Sequence, residues 1–313
     1  MPSLISLGDL SAEEVRALVK ATGYWARNTP RSEALLGDQV IGLYFAQPST
    51  RTRTSFSTAA LRLGARIISY GPSDLQLSTG ETDTDTGMVL ATMLDALVVR
   101  AGTDHGGLLR LSAGGRLPVV NAMNSIEHPT QAIADLATIE RVRGSADGVQ
   151  VLYIGEVNST TVALALALSR FDRTLLHVVA PPGYGFGQEM LSAINALGEP
   201  SGSRLLAHDH PSDVDAPVDF VYTTQWQTTG MVKADPDWHR IFYPDFQVNA
   251  ELMARWPKAS FMHDLPARRG EEVTSEVLDG PLSLAPQQVR NKLNSALAVL
   301  LWISGRYPGG IRR

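Results

Sequence analysis

Short apolar runs alternate along this chain with stretches whose apolar positions recur every three or four residues. The runs predict strands at residues 40–46, 97–100, 118–121, 151–154, 175–180, 218–223 and 260–263. The helical spacing predicts helices that include residues 11–26, 52–63, 83–94, 129–143, 160–170, 188–197 and 286–304. A strand–helix alternation of this length predicts an α/β fold of two doubly wound parallel-sheet domains joined by helices. Gly144-Ser145-Ala146-Asp147-Gly148 interrupts the alternation after the helix that opens at Pro129, so the domain boundary is expected there. No repeat of fixed period and no low-complexity tract interrupts the pattern.

Composition narrows the picture. At 313 residues the chain is large for one core, which agrees with two domains. Hydrophobic residues at 44% and charged residues at 19% describe a globular, folded chain. The net charge of -5 argues against a nucleic-acid or anionic-membrane partner, so any phosphate binding must be local. Without cysteine there is no disulfide, no thiolate nucleophile and no cysteine-bound zinc. The N-terminal sequence is unlike a secretory signal and no apolar run has the length of a membrane span, so the cytoplasm is the expected location.

Polar clusters stand at three places where a strand is expected to give way to a loop or a helix, the end at which parallel sheets bind ligands. In the first, Ser49-Thr50-Arg51-Thr52-Arg53 separates an apolar run from the helical positions Phe56, Ala59, Ala60 and Leu63. Unpaired N–H groups and the positive end of the helix dipole attract an anion there, and hydroxyls and guanidiniums match phosphate oxygens. In the second, His128-Pro129-Thr130-Gln131 sets proline at the first helical position, so that His128 and Gln131 can address one ligand from the first turn. The third, Phe261-Met262-His263-Asp264-Leu265-Pro266, ends a strand in a rigid turn.

Together these clusters resemble the three signatures of the aspartate/ornithine carbamoyltransferase family. Gly71-Pro72-Ser73, Gln76, Val98-Val99-Arg100, Gln247-Val248-Asn249 and Gly270-Glu271-Glu272-Val273-Thr274 follow the order of its ornithine-type branch. The resemblance implies a carbamoyl-phosphate domain of residues 1–143 plus 286–313 and an amine-acceptor domain of residues 144–285. It also implies a homotrimer, or a multiple of trimers, with carbamoyl phosphate and a small amine as substrates, and neither metal nor organic cofactor. Ser49, Thr50, Arg51 and Thr52 would hold the phosphate, while Arg100, His128, Gln131 and the Leu265 carbonyl would engage the carbamoyl group. Gln76 would reach a neighbouring subunit's site, and Lys292 stands where the family usually has arginine. Asn158, Thr224, Gln227, Thr228 and Asp264 fall on the acceptor side, and Arg53 is expected to be structural, paired with an acidic neighbour. Arg51, Thr52, Arg100, His128 and Asp264 are the candidate catalytic groups. A donor aimed at the developing oxyanion is commonly worth about 3 kcal/mol.

The acceptor side departs from the ornithine pattern. Asp264 stands in place of a cysteine, and Thr224 in place of the aspartate before Trp226. Thr228-Thr229-Gly230 replaces Ser-Met-Gly. Several buried polar partners have changed together, which predicts an acceptor other than ordinary ornithine. The aspartate branch fits less well, since its basic loop is here Ser78-Thr79-Gly80-Glu81 and its acceptor-binding arginine is Gln225. Two alternatives stand beside this reading: a non-catalytic descendant that binds phosphorylated metabolites as a regulator or scaffold, and a diverged ornithine carbamoyltransferase.

Other signals are set aside. Asp83-Thr84-Asp85-Thr86 lacks the preceding strand a phosphatase nucleophile needs, and Gly183-Tyr184-Gly185-Phe186-Gly187 lacks dinucleotide-loop spacing. His208-Asp209-His210 is expected in a polar loop without strand or helix partners, poor ground for a metal.

Overall fold

The computed structural model describes residues 1–28, 34–227, 233 and 237–306. The chain forms two compact units, Met1–Ala137 with Arg290–Arg313, and Thr138–Val289. Each is built on a parallel sheet.

In the first unit β1 (Val40–Phe45), β2 (Arg66–Tyr70), β3 (Ala96–Arg100) and β4 (Val119–Asn121) lie in the order β2-β1-β3-β4. The inner strands are buried along their length because helices cover both faces. Gly42 is required by this packing, since a Cβ there would lie 2.6 Å from Leu94 and 2.8 Å from Leu97. The second unit orders β5 (Gln150–Ile154), β6 (Leu175–Val179), β7 (Arg204–His208), β8 (Phe220–Thr223) and β9 (Ser260–His263) as β7-β6-β5-β8-β9. The order in which strands are added reverses between β1 and β3 in one sheet, and between β5 and β8 in the other. A crevice opens at such a reversal beyond the carboxyl ends of the strands, and there ligands bind.

Seven strands match the expected apolar runs to within two residues at either end. The sequence reading missed β2 and β7. Both are edge strands with partly exposed side chains, so neither carries a continuous apolar run. Short helices at His105–Leu111, Trp238–Phe242, Ala250–Ala254 and Ser275–Leu278 span too few turns to display a period.

By packing, the two units divide inside two helices, at residues 137/138 and 289/290. Hydrogen bonds on either side follow this division. In the helix Pro129–Arg143, the Thr130 carbonyl accepts from Ser295, whereas Arg143 in the last turn donates to the Asp147 carbonyl at 2.7 Å. In the helix Ala285–Ile303, Gln288 accepts from the His263 N–H at 2.8 Å, while Lys292 donates to Gln131. Among the described residues no helix is long and apolar enough to cross a membrane, and no group of three or more acidic, histidine or cysteine side chains could hold a metal.

Candidate active site

In the first unit the site is assembled at the β1/β3 reversal. Ser49 is the N-cap of the helix Thr50–Arg62, yet its side chain makes no capping hydrogen bond, so it does not occupy the first-turn N–H groups. Phe45 and Arg100 are register partners at the ends of β1 and β3, so Arg100 emerges beside that turn. Its Nη1 donates to Thr52 Oγ1 at 3.5 Å, and both residues are buried. His128, also buried, precedes Pro129 and feels the charges of Lys292 and Arg100. Burial first, and those two cations second, hold its imidazole well below the usual histidine pKa, so the ring is neutral at physiological pH. His128 Nδ1 is 3.4 Å from Thr130 Oγ1, while the buried Nε2 has no hydrogen-bond partner among the described residues. Gln131 is fixed from both sides, accepting from Lys292 Nζ and donating to Asp135 Oδ1 at 2.8 Å.

Thr52, Arg100, His128, Gln131 and Lys292 therefore form one cluster of cationic and polar groups, and Ser49, Thr50 and Arg51 stand at the N-terminus of the helix that carries Thr52. Gln76 does not join it within this chain: it is exposed in the short 3-10 helix Gln76–Thr79 and its side chain accepts from Thr79 at 2.6 Å. Arg53 has no acidic partner among the described residues. It donates to Ser69 Oγ at 2.9 Å and lies over the Phe45 ring, since the edge strand β2 supplies a hydroxyl where a carboxylate was expected.

The second unit brings its candidates to the β5/β8 reversal. Asn158 caps the helix Ser159–Leu168 with its Oδ1 and donates through Nδ2 to Thr224 Oγ1 at 2.8 Å. Thr224 follows β8, and its hydroxyl is also 2.8 Å from the Tyr153 hydroxyl, which donates to the Glu156 carbonyl at 2.7 Å. Asp264, just past β9, accepts from Thr160 Oγ1 at 2.9 Å. Burial is the main reason the Tyr153 phenol is pushed above its usual pKa, and the negative charges of Asp264 and Glu156 add to it. Leu265 takes a positive φ of 54°, costly for a branched residue. Its N–H donates to His263 Nδ1 at 2.8 Å, and His263 Nε2 lies 3.2 Å from Glu272, so a buried pair holds this turn. Gln227 is half-buried beyond Trp226, and Thr228 lies outside the described residues.

Sequence reasoning missed Tyr153, Glu156 and Thr160 on this wall. Tyr153 sits within an apolar run and is indistinguishable there from core, and Thr160 meets Asp264 only across 104 positions of chain. His208, expected in a loop, ends β7 and stacks on His177 with ring nitrogens 3.0 Å apart.

Each unit matches a profile of known proteins. Residues 3–141 match the family profile described as "Aspartate/ornithine carbamoyltransferase, carbamoyl-P binding domain". Residues 147–303 match "Aspartate/ornithine carbamoyltransferase, Asp/Orn binding domain". The anabolic ornithine carbamoyltransferase of Pyrococcus furiosus is 35% identical over 306 residues, covering 96% of each chain. The ornithine carbamoyltransferase of Methanothermobacter thermautotrophicus is 35% identical over 274 residues, 87% of this chain and 90% of its own. Among solved structures, the Pyrococcus furiosus ornithine carbamoyltransferase superposes with a TM-score of 0.90 at 33% identity over 98% of both chains. The anabolic enzyme of Campylobacter jejuni gives 0.88 at 26% identity, covering 98% of this chain and 100% of its own.

Proposed function

The chain belongs to the aspartate/ornithine carbamoyltransferase family, and from that premise we propose that it moves the carbamoyl group of carbamoyl phosphate onto a primary amine of an amino acid or diamine other than ordinary ornithine. Phosphate is the second product. Ser49, Thr50, Arg51 and the helix N-terminus bind the phosphate and stabilise it as it departs. Thr52, Arg100 and His128 face the carbonyl oxygen. A Thr130 hydroxyl donating to His128 Nδ1 leaves the ring proton on Nε2, the orphaned atom, where it can meet the developing oxyanion. Gln131, held by Lys292 and Asp135, addresses the carbamoyl amide.

The acceptor nitrogen attacks the carbonyl carbon, the new C–N bond forms, and the C–O bond to phosphate breaks with its electron pair. The nitrogen must be neutral to attack. For an amine of pKa near 10.4, deprotonation at pH 7 costs roughly 4–5 kcal/mol, so binding and aligning the free form supplies part of the rate. Asp264 draws the ammonium in and takes up the proton that the nitrogen loses.

One observation carries the choice of acceptor. The hydroxyl of Thr224, in the position of an aspartate of the ornithine branch, is already engaged by Tyr153 and Asn158, and the wall's carboxylate is Asp264, bonded to Thr160. An α-amino group seeking an aspartate beside Trp226 meets a neutral hydroxyl already engaged by two partners. Steady-state kinetics with ornithine, putrescine and 2,3-diaminopropionate, followed by phosphate release and ureido product, test the proposal. Ornithine is expected to be a poor acceptor; a wide preference for it would show the substitutions to be drift, and no turnover with any amine would leave only a binding protein.

A further inference from the structure

Two carboxylates bear on Tyr153 in the second unit, and they are treated differently. Asp264 is bonded to a neutral hydroxyl. Glu156 is bonded to a cation: its Oε2 lies 2.5 Å from Lys233 Nζ. That ammonium also stands over the rings of Tyr184, Trp238 and Phe242, at 4.5, 5.3 and 5.4 Å. The Lys233 side chain is 10% exposed and that of Glu156 25%, so the pair is largely withdrawn from water. Three aromatic faces and a carboxylate around one ammonium is an arrangement that recognises alkylammonium ligands.

The box adjoins the acceptor wall. The Glu156 carbonyl accepts a hydrogen bond from the Tyr153 hydroxyl, whose oxygen is 2.8 Å from Thr224 Oγ1. The Val157 N–H donates to the Tyr184 carbonyl at 2.9 Å, and the next residue, Asn158, bonds Thr224.

We propose that Glu156, Tyr184, Trp238 and Phe242 form an alkylammonium subsite of the acceptor wall that the chain fills with its own Lys233, which makes Lys233 a specificity-determining residue. The inference rests on reading the second unit as the acceptor side. Lys233 neutralises Glu156 and leaves Asp264 as the carboxylate for an incoming ammonium. A diamine whose second ammonium reaches for Glu156 must displace a tethered competitor of high effective concentration. The acceptor class is therefore an amine whose remote end is not cationic, an amino acid in preference to an α,ω-diamine.

The test uses full-length Lys233→Ala, Lys233→Met and the double variant Lys233→Ala/Glu156→Gln, with methylammonium chloride as the probe against sodium chloride at equal ionic strength. Trp238 lines the box and Trp226 stacks on Phe242 at 5.3 Å, so tryptophan fluorescence reports occupancy. Methylammonium is expected to give a saturable change with Lys233→Ala, and none with the parent or the double variant. The ratio of kcat/KM for putrescine to that for 2,3-diaminopropionate should rise at least about tenfold in Lys233→Ala, and methylammonium should lower it again. Lys233→Met keeps the box packed without the charge and should raise the ratio as well. A folded Lys233→Ala protein without saturable binding, or a ratio unchanged in both single variants, overturns the inference. The fluorescence titration needs no turnover, so a protein inactive toward every amine would refute the proposed function while leaving the subsite to be judged on binding.

Discussion

Glu127 is buried beside the N-terminal segment and accepts from the Leu7 N–H at 2.9 Å. Burial outweighs that bond and a second from Ser6, and raises the carboxyl from 4.5 to about 7. The folded state thus holds the proton more tightly than the unfolded chain. The stability so gained is complete below pH 4.5 and is lost as pH rises through about 7, a change on the order of 3 kcal/mol. Glu127→Gln should flatten the denaturant-derived stability between those two values, and parallel profiles for parent and variant would refute the assignment. His128 acts in the opposite sense. Its folded pKa is depressed, so the unfolded chain takes up the proton first, and stability is lost as pH falls below about 6.5. Candidate residues stand out in the sequence where their chemistry recurs in a motif, as with Arg51, His128 and Asp264. Lys233 and Glu156 do not, because their meaning comes from a contact 77 positions apart.

At the level of elements, sequence pattern was informative where strands are covered on both sides and silent at β2 and β7, where one edge is free. Gly87 shows a second way in which pattern misleads. It lies inside the helix Asp83–Leu90, where alanine would ordinarily favour helix by roughly 1 kcal/mol. Here a Cβ would come within 2.4 Å of the Leu111 carbonyl oxygen, because the helices Asp83–Leu90 and His105–Leu111 approach backbone to backbone. Gly87→Ala is therefore expected to destabilise the protein by about 1–3 kcal/mol, the usual cost of overpacking, in chemical denaturation. A gain in stability would show that the two helices can move apart freely.

For the whole molecule, the repeated strand–helix alternation announced two parallel sheets, and the reversal in each sheet explains why separate motifs gather at strand ends. The two helices that cross the division between units are continuous, so no break in secondary structure marks it. Assembly is the proposal at this scale. Gln76, exposed in its 3-10 helix, is assigned to a neighbour's site in a homotrimer. Arg51→Ala and Gln76→Ala proteins, each of low activity alone, should regain part of the parent's turnover when unfolded together and refolded as mixed trimers. A fully active monomer by light scattering would exclude this arrangement.

The open flank of β2 has a consequence for the protein in concentrated solution. A terminal strand of a parallel sheet offers a row of unpaired backbone groups on which another chain can template, and Ile68 in its middle is 43% exposed. Arg66 stands exposed at the head of this strand, and Arg53 reaches across from the helix to Ser69. Two guanidiniums along one flank repel the same flank of a second copy. The arginine that the anion site leaves aside thus serves as a guard against fibre growth.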